Sequence, residues 1–123
     1  MEKILGLGGF FFRAKDPKAL TDWYETHFGI NRVGQSYGDP AWQQKAGTTV
    51  FAPFKQETDY FGAAEKTWAI NFRVADLDRM VEQLRTAGIE VTIDPETYPN
   101  GRFATLYDPE RNRVELWQPM PAE

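Results

Sequence analysis

Hydrophobic and polar positions along this chain follow two different periods, and the switches between them mark its elements. Leu20, Trp23, Tyr24 and Phe28 recur at the spacing of one helix face, as do Leu77, Met80, Val81 and Leu84. Each run has its own start and stop chemistry. Asp16 stands where a capping carboxylate accepts from free amides, and Pro17 follows at the first helical position, where its missing N–H costs nothing. Asp76 caps the second run in the same way. Gly29 and Gly88 close the two runs, since glycine accepts the left-handed turn that ends a helix. The spacing predicts two helices of about eleven residues each.

Around these helices the segments read as strands. Ile4–Arg13 and Thr67–Val74 lead into the helices. Asn31–Tyr37, Ala41–Lys45 and Thr48–Phe54 follow the first helix, and Glu90–Ile93, Arg102–Tyr107 and Arg113–Gln118 follow the second. Tyr37–Pro40, Ala46-Gly47, Asn100-Gly101 and Asp108–Asn112 punctuate them as turns. Each half therefore reads strand–helix–strand–strand–strand. The halves also echo each other in residues: Phe12-Arg13-Ala14-Lys15-Asp16 returns as Phe72-Arg73-Val74-Ala75-Asp76, sixty positions later. The expected organisation is a first module at 1–54, a connecting loop at 55–66 and a second module at 67–123, forming one structural domain. Within the loop, Tyr60 and Phe61 are expected to fold back onto the body.

Composition narrows the chemistry. At 123 residues the chain can bury a core without staples. The absence of cysteine excludes disulfides, thiolate nucleophiles and zinc ribbons, and the single histidine, His27, excludes any two-histidine metal motif within one chain. Net charge is −4, the pI is about 5.0, and the basic residues are dispersed. No nucleic-acid partner is expected. Neither a long apolar run nor a leader pattern is present, so the expectation is a cytoplasmic chain without a membrane partner.

On these residues the chain resembles the vicinal-oxygen-chelate superfamily, which includes glyoxalase I, extradiol dioxygenases, fosfomycin-resistance proteins and bleomycin-resistance proteins. The resemblance covers nearly the whole chain. It rests on Phe12–Pro17, on Trp23-Tyr24 with Gly29 behind them, on Phe72–Asp78, and most specifically on Tyr107–Trp117. Arg111 stands where these proteins commonly carry glycine, so a strained or differently shaped turn is expected there. The implied fold is α+β: two βαβββ modules whose sheets curl into an open, cup-shaped mixed sheet with helices outside. The resemblance also implies a homodimer, which the open sheet edges favour.

Enzymes of that superfamily hold one divalent metal on the first and last strands of each module. Counted in register, those positions are Gly9, Thr49, Ala69 and Glu115. Only Glu115 carries a good donor, whereas such a site needs several N or O ligands. No metal or other cofactor is therefore expected, and His27 at the end of an outer helix does not restore one.

Strand alternation nominates the cup lining. Gly9 in register brings Phe11 and Arg13 inward, Ala69 brings Asn71 and Arg73, Glu115 brings Trp117, and Thr49 brings Phe51. Trp42, Gln44 and Arg102 are expected at the mouth. A carboxylate in a partly dry cup needs a partner, and Arg73 is the first candidate for Glu115, with Arg13 second. The ligand-binding set is thus Phe11, Arg13, Trp42, Gln44, Phe51, Asn71, Arg73, Arg102, Glu115 and Trp117. The expected function is metal-free binding of a small molecule, aromatic or cationic, in a protein similar to glyoxalase and bleomycin-resistance proteins. The alternative is a glyoxalase-like lyase or dioxygenase with a non-standard site, in which Glu115 is catalytic. A third reading is a plain dimerisation or scaffolding module with a vestigial pocket.

Overall fold

A computed structural model describes residues 1–33 and 36–120. The chain is α+β, with two helices and an open four-stranded mixed sheet among the described residues. Helix α1 spans Pro17–Phe28 and helix α2 spans Leu77–Thr86. Both start as their sequences dictate. The Asp16 carboxylate accepts from the Ala19 amide at 3.1 Å, and the Asp76 carboxylate from the Arg79 amide at 3.0 Å. Gly29 ends α1 at a φ of 70°, its N–H donating back to the Glu25 carbonyl. No helix among the described residues is long and apolar enough to cross a membrane.

The sheet comes entirely from the second half of the chain. Its strands are β1 (Ile70–Arg73), β2 (Thr92–Ile93), β3 (Gly101–Tyr107) and β4 (Arg113–Pro119), in the order β1-β4-β3-β2. β1 runs parallel to β4, and β4–β3 and β3–β2 are antiparallel. With α2 between β1 and β2 this is a complete βαβββ unit. One face of the sheet lies on α2. There Leu77, Val81 and Leu84 pack against Val91, Ala104, Leu106, Val114 and Leu116, all buried. Trp23, Tyr24 and Phe28 of α1 extend this core from the side.

The first half departs from expectation. Among the described residues, 4–13, 41–45 and 48–54 form no strand, and the segment expected at Asn31–Tyr37 includes two positions outside the described residues. The physical reason is a missing partner. Backbone N–H and C=O groups need a neighbouring strand to form a ladder. Along the open edge of β1, the contact with this region is instead made by a side chain: Arg73 donates to the Lys45 carbonyl at 2.6 Å and to the Ala46 carbonyl at 3.4 Å. Ile4, Leu5, Phe11, Val50 and Phe51 remain exposed. Phe10 and Phe12, also exposed, lie against Trp68 with ring centroids 5.1 and 4.7 Å away.

The turn between β3 and β4 fastens the first helix to the sheet. Asp108, 2% exposed, accepts from the Tyr24 hydroxyl (2.6 Å), the Asn112 side-chain amide (2.8 Å) and the Glu110 and Asn112 backbone amides (2.9 and 3.0 Å). Glu110 accepts from the Lys15 and Asp16 amides just ahead of α1, at 2.7 and 3.0 Å. Lys66 donates to the Glu110 carbonyl and the Asn112 side chain. The turn thus holds the start of α1 and the end of the connecting loop together.

Candidate functional site

The sheet face turned away from α2 carries the candidate site. Alternation along β4 puts Val114 and Leu116 in the core and Arg113, Glu115 and Trp117 on the opposite face. The register then places Asn71 of β1 and Thr105 of β3 on either side of Glu115, and Arg73 and Phe103 on either side of Trp117. Tyr107 lies opposite Arg113. Four expected residues, Asn71, Arg73, Glu115 and Trp117, therefore share one face.

Their pairing differs from expectation. Glu115 accepts from the Asn71 amide at 2.8 Å, and its partner is neither Arg73 nor Arg13. The parallel register sets Asn71 directly opposite Glu115, whereas Arg73 stands one step on, opposite Trp117, and reaches over the sheet edge to the carbonyls of 45 and 46. Trp117 is nearly buried. Its indole N–H donates to the Asn100 carbonyl at 2.8 Å, and its ring stacks parallel to Phe103 at 6.2 Å. Gly101 makes this fit possible, since a β-carbon there would run into the Gln118 carbonyl and the Trp117 indole nitrogen.

The connecting loop folds onto this face. Phe54, Tyr60 and Phe61 cluster with centroids 5.0 to 5.8 Å apart, and the Arg113 guanidinium lies over the Tyr60 ring at 4.2 Å. Burial first, and the charge of Glu115 second, push the Tyr60 phenol above its ordinary value. Tyr60 therefore stands between the acid and the guanidinium.

The other expected residues lie elsewhere. Arg102 is on the helix face, because its neighbours Phe103 and Thr105 define the parity of β3. There it forms a bidentate pair with Asp78 of α2, at 3.0 and 3.1 Å. Trp42 lies 6.3 Å from Phe72, whose side of β1 also meets Tyr24 and Phe28 of α1. Gln44, Arg13 and Phe51 are exposed on the unpaired segments, and the Phe11 ring turns back beneath Gly9. Conversely, Tyr60, Phe103, Thr105, Tyr107 and Arg113 join the face without having been nominated. The signal for three of them was the alternation of β3, and for Arg113 its two-residue spacing from Glu115.

The residues present do not supply the donors for the metal that the fold implies. Gly9 and Ala69 have no ligating side chain, and Thr49 lies off the sheet. The His27 ring packs on Trp23 at 5.3 Å, within the outer helix. Among the described residues no three His, Cys, Asp or Glu side chains form a metal-holding group.

Beside the face, where β3 leaves the sheet and β4 returns, lies an open cleft of about 750 Å³. Thr105, Tyr107, Arg111 and Arg113 line it together with Trp23 and Glu90.

Known proteins share this architecture. The antibiotic-binding protein TnmS3 from Streptomyces sp. CB03234 superposes with a TM-score of 0.66 at 22% identity, over 98% of this chain and 100% of that one. The fosfomycin resistance protein FosX from Listeria monocytogenes superposes with a TM-score of 0.60 at 17% identity, over 96% of both chains. In sequence, the anthracycline biosynthesis protein DnrV of Streptomyces peucetius is 33% identical over 110 residues, 85% of this chain. The chain spans only 39% of that relative's length. The family model of the Glyoxalase/Bleomycin resistance protein/Dioxygenase superfamily matches residues 6–116, and with the βαβββ unit described above it shows that the chain belongs to that superfamily.

Proposed function

We propose that the chain binds a planar, cationic small molecule on the Glu115 face, without a metal. One observation carries this reading. Glu115 is a carboxylate held by a neutral amide rather than by a cation, and it sits one step along the strand from the stacked Phe103–Trp117 pair. A neutral partner leaves the negative charge available, and the part-exposed Phe103 ring, backed by the buried Trp117, offers flat apolar surface beside it. The binding function named for TnmS3 and the biosynthetic role named for DnrV support a ligand of this kind. The test is titration of the full chain with an anthracycline, a planar polycycle that carries an amine, followed through tryptophan fluorescence. Saturable quenching is expected, with Glu115→Gln weakening binding about tenfold. Absence of quenching, or a Glu115→Gln variant that binds equally well, overturns the proposal. Stoichiometric metal in protein purified without chelator would instead favour the enzyme alternative.

We propose further that a second copy of the chain covers the apolar surface this chain leaves exposed. The exposed apolar residues of 4–13 and 48–54 and the open edge of β1 are surfaces that a homodimer would cover. Light scattering should give twice the monomer mass at micromolar concentration, and a monomer there removes this part of the proposal.

A further inference from the structure

The geometry points to a second binding site, in the cleft beside the Glu115 face, for a small organic anion that carries a carboxylate. Three observations meet there. First, Arg111 and Arg113 both line the cleft, and among the described residues neither has a carboxylate within ion-pair distance. Second, Arg113 is poorly satisfied. Its Nε is buried without a hydrogen-bond partner, its guanidinium lies over the Tyr60 ring at 4.2 Å, and its hydrogen bonds are long: 3.3 Å to the Thr105 hydroxyl and 3.5 Å to the Tyr107 hydroxyl. A guanidinium has five donors, and burying it with so few engaged is costly unless a ligand supplies acceptors. Third, Arg111 holds a left-handed backbone with φ of 66°, the only non-glycine residue among those described to do so. Such strain is retained where a side chain is needed in place. Here it sets the Arg111 guanidinium over the Tyr107 ring, 4.7 Å from its centroid.

The acids of the cleft do not cancel these charges. Asp108 is spent on the Tyr24 hydroxyl, the Asn112 amide and two backbone amides. Glu90 is the remaining carboxylate in the lining, against two arginines. The room exceeds an inorganic ion, and Trp23 and Tyr107 add aromatic walls. Forked guanidinium donors beside flat rings fit an aromatic carboxylate. Its sign is opposite to that of the ligand proposed for the Glu115 face, so the two sites are separable by experiment.

The test is calorimetric titration of the full chain with benzoate and, separately, with inorganic phosphate at low salt. Benzoate is expected to bind once per chain, at least about tenfold tighter than phosphate. Arg111→Gly is the decisive variant. It relieves the left-handed strain and should raise Tm, yet it should weaken benzoate about tenfold or more. Arg113→Gln should weaken benzoate similarly. No benzoate binding, or an Arg111→Gly variant that binds as the parent does, overturns the site. Equal binding of phosphate and benzoate overturns the organic class.

Discussion

The two halves of this chain share a sequence pattern, yet residues 67–120 form a sheet with a buried core while the described residues of 1–54 form one helix and unpaired extended segments. The helices make the contrast plain. α2 buries Leu77, Val81 and Leu84, each at 2% exposure or less, whereas α1 buries only Leu20. The turns differ too. In the second half Asp108–Asn112 closes β3 on β4 through a buried carboxylate with four donors, and the pair then runs seven residues in register. The corresponding place in the first half is Ala46-Gly47, which has no side chain to do this. A repeated pattern thus suffices for a helix, whose signals are local. A sheet also needs a turn that fixes register and a stripe broad enough to be covered.

The sharpest way to break the contrast is at Asp108. Asp108→Ala would leave the Tyr24 hydroxyl and three amides without their acceptor, and it should cost about 3 kcal/mol or more in urea unfolding. A loss under about 1 kcal/mol would show that the turn is not what closes the sheet. Truncating the helices comes next. Leu84→Ala should cost roughly 3 kcal/mol, toward the middle of the range for buried leucines, and Leu20→Ala clearly less. Equal losses would erase the distinction between the halves. Tyr24→Phe removes one of the Asp108 donors and should cost about 1 kcal/mol, measured the same way.

The smallest effect concerns pH. The Asp16 and Lys15 amides hold Glu110 below its ordinary value of 4.5. A depressed carboxylate contributes stability that is full above 4.5 and fades as pH falls through the lowered value. Glu110→Gln should therefore lower Tm slightly at neutral pH and flatten the acid limb, so that the two Tm-against-pH curves converge as pH falls below the lowered value. An unchanged acid limb would mean that α1 does not rely on this contact.

Both helices with their caps were legible in the sequence, as were the four strands of the second half to within three residues at each end. Of the candidate site, alternation correctly put Asn71, Arg73, Glu115 and Trp117 on one face. Arg102, expected at the mouth from its place at the start of a strand, instead meets Asp78 on the helix side, where the parity of β3 puts it. Tyr60 shows a different limit. Its arrival between Arg113 and Glu115 depends on how a twelve-residue loop folds back, and no periodicity encodes that.

The sequence by itself determined where helices begin and end and which side chains share a strand face, because capping and alternation depend only on neighbours along the chain. Tertiary structure decided which groups meet. Glu115 takes Asn71 rather than Arg73 through a register between β1 and β4, and Arg113 is left short of acceptors through the path of β3 beside it. These are distances between segments far apart in the chain. They follow from which strands find partners and in what register, a choice set by the whole core and by the turn at Asp108.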